Sequence, residues 1–279
     1  MARAFVEVAS DVLVMTSRRF ATTSTVILDD DRALVVDPSW DADELAGVAA
    51  TLAARGAACA AGASTHVHYD HVLWHPTLPS VPRWATPWSV AQWQVRRDEL
   101  LQPLVGDLSP ELLDIAGRLD QVPAAPRPAA AVPGRDYPRD TALPDPYLLP
   151  WGGREVLLHE HDAHARGHVA MELPESRALL TGDMLSDVEL PMPDAGDPDL
   201  VAYLVGLDRL ADVVRRCEVL VPGHGSPTND PLSRLDADRR YLDDVLHGRT
   251  VSDPRLTEPG MRDLHVRTIQ QAAATRWGA

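Results

Sequence analysis

Apolar residues recur in two periods along this chain, and the switch between them sets out its elements. The first 40 residues hold short aliphatic runs at Phe5–Val8, Val12–Met15, Thr25–Leu28 and Ala33–Val36, with the turn Asp29-Asp30-Asp31 between the last two. Such runs bounded by polar breaks predict strands. Leu45, Val48, Ala49 and Leu52 then fall at helical spacing, so a helix is predicted with Asp41 as N-cap, Glu44 completing a capping box and Gly56 at its end. A strand over Ala57–Ser64 follows. Further on, Val156–Leu158, Ala178–Leu180 and Val219–Val221 read as short strands. Helices are predicted to open at Asp197-Pro198, with Leu200, Leu204, Leu207 and Val214 on the buried side, and at Asn229-Asp230-Pro231. The second of these turns Leu232, Leu235, Leu242, Val245 and Leu246 inward until Gly248, and a last helix covers about residues 259–276.

The strands end on chemistry. Thr65-His66-Val67-His68-Tyr69-Asp70-His71 places four potential metal ligands within six residues. His66 and His68 lie two apart, so an extended backbone sends both rings to one face. Asp70 and His71 follow where the strand runs out, on a loop able to wrap an ion. His164 stands in Asp162-Ala163-His164-Ala165-Arg166-Gly167-His168, Asp183 ends Thr181-Gly182-Asp183, and His224 stands in Pro222-Gly223-His224-Gly225. Each follows an apolar strand, and a sheet that delivers ligands to one rim is what a well-placed site requires.

These four blocks, in this order, resemble the metallo-β-lactamase-fold hydrolases, with a likeness that runs from about residue 5 to 245. The resemblance implies an α/β fold, a four-layer αββα sandwich of two mixed sheets flanked by helices. It departs from the family pattern at Asp162-Ala163, where the family usually writes Pro-Gly. Asp37 matches an aspartate often found near the site without being a ligand.

Seven candidate ligands exceed what one tetrahedral zinc uses, and two ions sharing a carboxylate and a water account for all of them. By resemblance, His66, His68 and His164 form a first site, Asp70, His71 and His224 a second, and Asp183 bridges both. Two divalent ions are expected, zinc foremost, since imidazole and carboxylate also suit manganese or iron. The expected reaction is hydrolysis of an ester, thioester, lactone or amide of a small molecule through a metal-bridging hydroxide. Asp70 orients the nucleophile and shuttles its proton, a role carried over from the family. The runner-up is a persulfide dioxygenase-like oxidoreductase using one iron on His66, His164 and Asp183. A silent binding module of the same fold is a third reading, opposed by the complete ligand blocks.

Composition narrows the partners. With 26 basic and 41 acidic residues the formal net charge is −15, which argues against a nucleic-acid partner. Arg96-Arg97 and Arg215-Arg216 are read as solvated helix faces. There is no lysine, which removes Schiff-base chemistry and a P-loop lysine. Cys59 and Cys217 make no disulfide framework and read as buried small side chains. The N-terminus lacks the apolar segment of a signal peptide and no run is long enough to span a bilayer, so a cytoplasmic protein without membrane contact is expected. On that ground β-lactam cleavage is not expected. Ser186, where lactonases of this fold often carry tyrosine, weakens a lactonase reading. The stretch Arg249–Arg267 gives no clear match to the glutathione-binding region of glyoxalase II relatives.

Residues 1–279 are read as one domain. The gap between His71 and His164 is longer than the family pattern needs, so residues 94–150 are read as an insertion, either a lid or a homodimer contact. It contains one predicted helix, Pro110–Leu119, then a proline- and alanine-rich stretch over Pro123–Pro150. The tryptophans of residues 76–93 are expected to pack rather than to line a substrate pocket. His168 is expected beside the site without being a ligand and His75 in a structural role. His159 and His161 share one strand face and are expected to be exposed, while His247 and His265 carry no signal.

Overall fold

Four antiparallel strands open the chain: β1 (Val6–Ala9), β2 (Val12–Thr16), β3 (Thr23–Asp29) and β4 (Arg32–Val36). The computed structural model describes residues 3–123, 145–194 and 199–277. The aspartate turn between β3 and β4 places Asp30 at φ 51°, a left-handed conformation that a short polar side chain tolerates. Helix α1 (Ala42–Arg55) then crosses to β5 (Ala58–Ala63), which lies parallel to β4. The parallel strands β6 (Arg83–Ala85) and β7 (Asp120–Gln121) complete a seven-stranded mixed sheet in sequence order.

The second sheet has five strands in the order β12-β11-β10-β9-β8. They are β8 (Tyr147–Leu148), β9 (Leu157–Glu160), β10 (Val169–Leu173), β11 (Ala178–Leu180) and β12 (Val219–Val221). Only β11 and β12 pair in parallel, around helix α4 (Leu200–Arg216). Helices α5 (Pro231–Leu246) and α6 (Met261–Trp277) follow.

Period-two burial holds the sheets face to face. Val12, Val14, Ile27 and Leu34 of the first meet Leu158, Val169, Met171 and Leu180 of the second. Each such buried side chain contributes about 1.5–3 kcal/mol. On the outer faces, Val48 and Leu52 of α1 pack with Leu13, Val26 and Val35, while Leu207, Leu210, Leu235 and Leu242 of α4 and α5 pack with Ala170, Leu179 and Leu220. Helix, sheet, sheet, helix is the expected αββα order. No helix among the described residues is long and apolar enough to cross a membrane.

Several local expectations are corrected by tertiary structure. Asp41 is the N-cap residue of α1, but its side chain caps nothing. Arg18 and Arg19 hold it in ion pairs instead. Glu44 is buried, accepting hydrogen bonds from Ser17 Oγ at 2.6 Å and Arg18 N–H at 3.1 Å, so the capping box does not form. Gly56 ends the helix at φ 66° as expected. Helix α4 is capped by Asp199, whose Oδ1 accepts from Ala202 N–H at 2.8 Å; Asp197 and Pro198 lie outside the described residues. Leu232, in the first turn of α5, is 44% exposed rather than turned inward.

Residues 94–150 hold more helix than the single one expected. Helix α2 (Pro87–Leu101) runs through their start, with Thr86 Oγ1 accepting from Ser89 N–H and Pro87 in the first turn. A second helix, α3 (Pro110–Ile115), is shorter than Pro110–Leu119. Leu101, Leu104, Leu108, Leu112 and Ala116 form a core cluster with Trp40, Leu45 and Leu73. Residues 124–144, most of the stretch Pro123–Pro150, lie outside the described residues.

Candidate metal centre

The strands β4, β5, β11 and β12 end on one edge of the sandwich, and each is followed within three residues by Asp37, His66, Asp183 or His224. Main-chain bonds tie the two sheets there: Val169 N–H to Thr65 O at 3.0 Å, and Thr23 N–H to Gly223 O at 2.7 Å. The structure brings all seven predicted ligands together. Ligand atoms of His66, His68, His164 and Asp183 lie within 4.8 Å of one another, as do those of Asp70, His71 and His224.

Asp183 joins the two groups through its separate oxygens. Oδ2 lies 3.4 Å from His66 Nε2 and 3.6 Å from His164 Nε2. Oδ1 lies 3.1 Å from His71 Nε2 and 3.4 Å from His224 Nε2. His68 Nδ1 approaches His164 Nε2 at 3.1 Å, and Asp70 Oδ2 stands 3.3 Å from His224 Nε2. Two glycines make this possible. A Cβ on Gly223 would lie 2.3 Å from Asp183 Oδ1, and one on Gly182, at φ 53°, would lie 2.1 Å from His168 Nε2.

The remote ring nitrogens fix the tautomers. His71 Nδ1 faces Asp37 Oδ2 at 3.0 Å, His164 Nδ1 faces Met192 O at 2.8 Å, and His224 Nδ1 faces Phe20 O at 2.9 Å. Each partner is an acceptor, so each Nδ1 carries a proton and turns Nε2 toward the centre. The Asp37 carboxylate also accepts from Thr65 N–H at 2.9 Å and Thr65 Oγ1 at 2.6 Å, holding the segment that carries His66.

A cation fits this donor set. His66 Nε2, His71 Nε2 and Asp183 Oδ1 are buried without a hydrogen-bond partner. Buried polar atoms left so cost about 1–3 kcal/mol each, a cost that an ion between them offsets. The charges are already divided. Burial holds His66 well below the usual imidazole range and His164 down to about 4. Burial also acts against protonation of His71 and His224, yet the carboxylates, Asp183 foremost, raise both well above it. Asp70 and Asp183 are ionised despite burial, held low by His71 and His224.

Around these ligands the structure adds residues that no motif marks. Glu189 reaches His224 Nδ1 at 3.7 Å, and burial pushes its carboxyl up to about 7. Asp194 Oδ2 lies 3.4 Å from His68 Nε2. Neither stands beside a strand end or a histidine block, so the sequence offers no signal for them. Ser186 is structural: its Oγ donates to His224 O at 2.7 Å and accepts from Val188 N–H and Glu189 N–H.

Expected bystanders divide. His168 is buried with its ring 4.6 Å from that of His66, and His75 bonds Thr77 away from the ligands. His159 and His161 are buried, not exposed, because β9 lies inside the second sheet. His159 Nε2 bonds Glu172 at 2.7 Å, and the His161 ring stacks 4.6 Å from His168. Arg216 is likewise no free surface cation, since it grips Glu172 with two nitrogens. Trp74 and Trp93 are core residues; Trp88 is 41% exposed beneath Arg166.

The family model of the metallo-beta-lactamase superfamily matches residues 17–246, and the chain belongs to that superfamily. Most members of this superfamily are hydrolases. Among solved structures, the metallo-beta-lactamase from Pontibacter korlensis aligns with TM-score 0.59 at 14% identity, over 87% of this chain and 99% of its own. The DIM-1 metallo-beta-lactamase aligns with TM-score 0.55 at 17% identity, over 87% and 98%. A double mutant of the sec-alkyl sulfatase PisA1 gives TM-score 0.61 at 16% identity, over 88% of this chain but 42% of that longer one. At these identities the likeness bears on the fold. No curated protein matches the chain significantly.

Proposed function

We propose that this chain is a dinuclear metal-dependent hydrolase that cleaves an ester, thioester, lactone or amide bond of a small molecule. The observation that carries the reading is the division of Asp183 between two ligand groups, Oδ2 toward His66 and His164, Oδ1 toward His71 and His224. In this reading His66, His68 and His164 hold one ion, Asp70, His71 and His224 the other, and Asp183 both. When bound, such ions supply Lewis-acid activation of water and of the scissile group at neutral pH.

The chain's own residues supply orientation and proton transfer. Asp37, Met192 O and Phe20 O fix three imidazoles with Nε2 inward. Asp70 is ionised and faces the centre, so its Oδ2 accepts a proton from the attacking water and returns it to the leaving group. A single-iron dioxygenase would use His66, His164 and Asp183 and leave Asp70, His71 and His224 converging on nothing. Their convergence favours the hydrolase.

The test is turnover of a panel of aryl esters, thioesters, lactones and anilides by purified protein. The panel is run as purified, after chelation, and with zinc, manganese or iron restored. At least one bond class is expected to be cleaved, with activity lost to chelator and recovered with metal. Absence of cleavage across the panel by metal-loaded protein, or cleavage indifferent to chelator, would contradict the reading.

A further inference from the structure

Glu189 lies six residues beyond Asp183 and outside every motif, yet it stands beside the centre. Ligand atoms of Asp183, Glu189 and His224 lie within 4.8 Å of one another. Its backbone is fixed on both sides. The N–H donates to Ser186 Oγ at 2.9 Å, and the carbonyl accepts from Arg255 Nη1 at 3.0 Å. Arg255 is itself buried and held by Asp253 and Asp238, while Asp238 also accepts from Leu185 N–H at 3.1 Å. Ser186 Oγ donates in turn to His224 O. The Leu185–Glu189 loop and His224 are therefore tied together and held from α5 and the turn at Pro254–Thr257.

Against this, the Glu189 carboxylate accepts no hydrogen bond among the described residues. Nor does it orient His224. Nδ1 of that ring already faces Phe20 O at 2.9 Å, and 3.7 Å from Glu189 is too long for a hydrogen bond. The Glu189 carboxylate thus has a fixed backbone, no donor of its own and 33% of its side chain exposed.

We propose that Glu189 is an eighth donor of the centre, on the side of the second ion, and that it tilts that half-site toward manganese(II) over zinc; this rests on the dinuclear reading above. Glu189 groups with Asp183 and His224, and His224 is shared with the Asp70 and His71 group, so a second half-site that took all five would count three carboxylates against two imidazoles. Oxygen-rich sets suit manganese and expanded coordination, whereas the first half-site, with three imidazoles, suits zinc.

The test titrates chelator-stripped wild type and Glu189→Gln with manganese and, separately, zinc, by calorimetry and by the paramagnetic resonance of free manganese. In the variant, manganese affinity at the weaker site is expected to fall about tenfold or more, with zinc affinity changed far less. Equal loss of both metals would mean that Glu189 acts through His224, and no loss would mean that it is not a donor; either overturns the proposal. Glu189→Ala, compared with wild type by melting temperature without metal, is expected to show the same manganese-selective loss. Wild type that takes up only one ion would instead overturn the dinuclear reading.

Discussion

The two halves of the centre share an edge of the sandwich and one carboxylate, and they differ in how they hold protons. In the first, His66 and His164 are kept neutral by burial, so their lone pairs are available at neutral pH. In the second, His71 and His224 are surrounded by Asp183, Asp70 and Asp37 or Glu189, which raise both well above the usual imidazole range. Protons on these rings stand where an ion would stand. In the proposed dinuclear reading, metal would have to displace them in the second half-site and would have little to displace in the first. The difference between the two pairs of histidines follows the carboxylates around them, so the proposed second half-site is expected to depend on pH more strongly than the first.

Removing the shared carboxylate breaks the comparison most completely. Asp183→Ala is expected to abolish both metal uptake and turnover while leaving the far-ultraviolet dichroism of the fold unchanged. Near-normal turnover in that variant would refute its role in both half-sites. A smaller effect is expected at Asp37. Asp37→Asn turns an amide NH₂ either toward the Nδ1–H of His71 and the hydroxyl of Thr65, which share Oδ2, or toward the Thr65 N–H on Oδ1, where the carboxylate accepts from all three. Affinity for metal should fall about 10–100-fold, read by competition with a chromophoric chelator. A variant indistinguishable from wild type would show that His71 needs no orienting partner.

The comparison also shows what the sequence could carry. All seven candidate ligands were legible, because each follows a strand whose apolar run is visible, and the parallel pairs β4–β5 and β11–β12 bring the His66–His71 segment, Asp183 and His224 to one edge. Glycines of the third and fourth blocks were readable only as turns; their closer reason is the approach of His168 and Asp183 to the backbone. Glu189 and Asp194 were not legible, since loop residues placed by Arg255, Ser186 and distant backbone leave no local pattern. His159 and His161 misled because alternation on β9 shows a shared face without showing that the face is covered. Helix α2 was hidden by the prolines and tryptophans around it, although Thr86 and Pro87 form an ordinary start. Asp41 and Glu44 formed a capping signature that Arg18, Arg19 and Ser17 took over.

The central claim is two ions in two unequal half-sites, and zinc titration of chelator-stripped protein tests it most directly. The titration is run near neutral pH in two buffers of different ionisation enthalpy. Two ions per chain are expected, bound in separate events. Proton release should accompany the event that fills the His71 and His224 half-site, which weakens as pH falls because those rings then hold their protons more fully. One ion per chain, or a single iron found reproducibly in freshly purified protein, would contradict it.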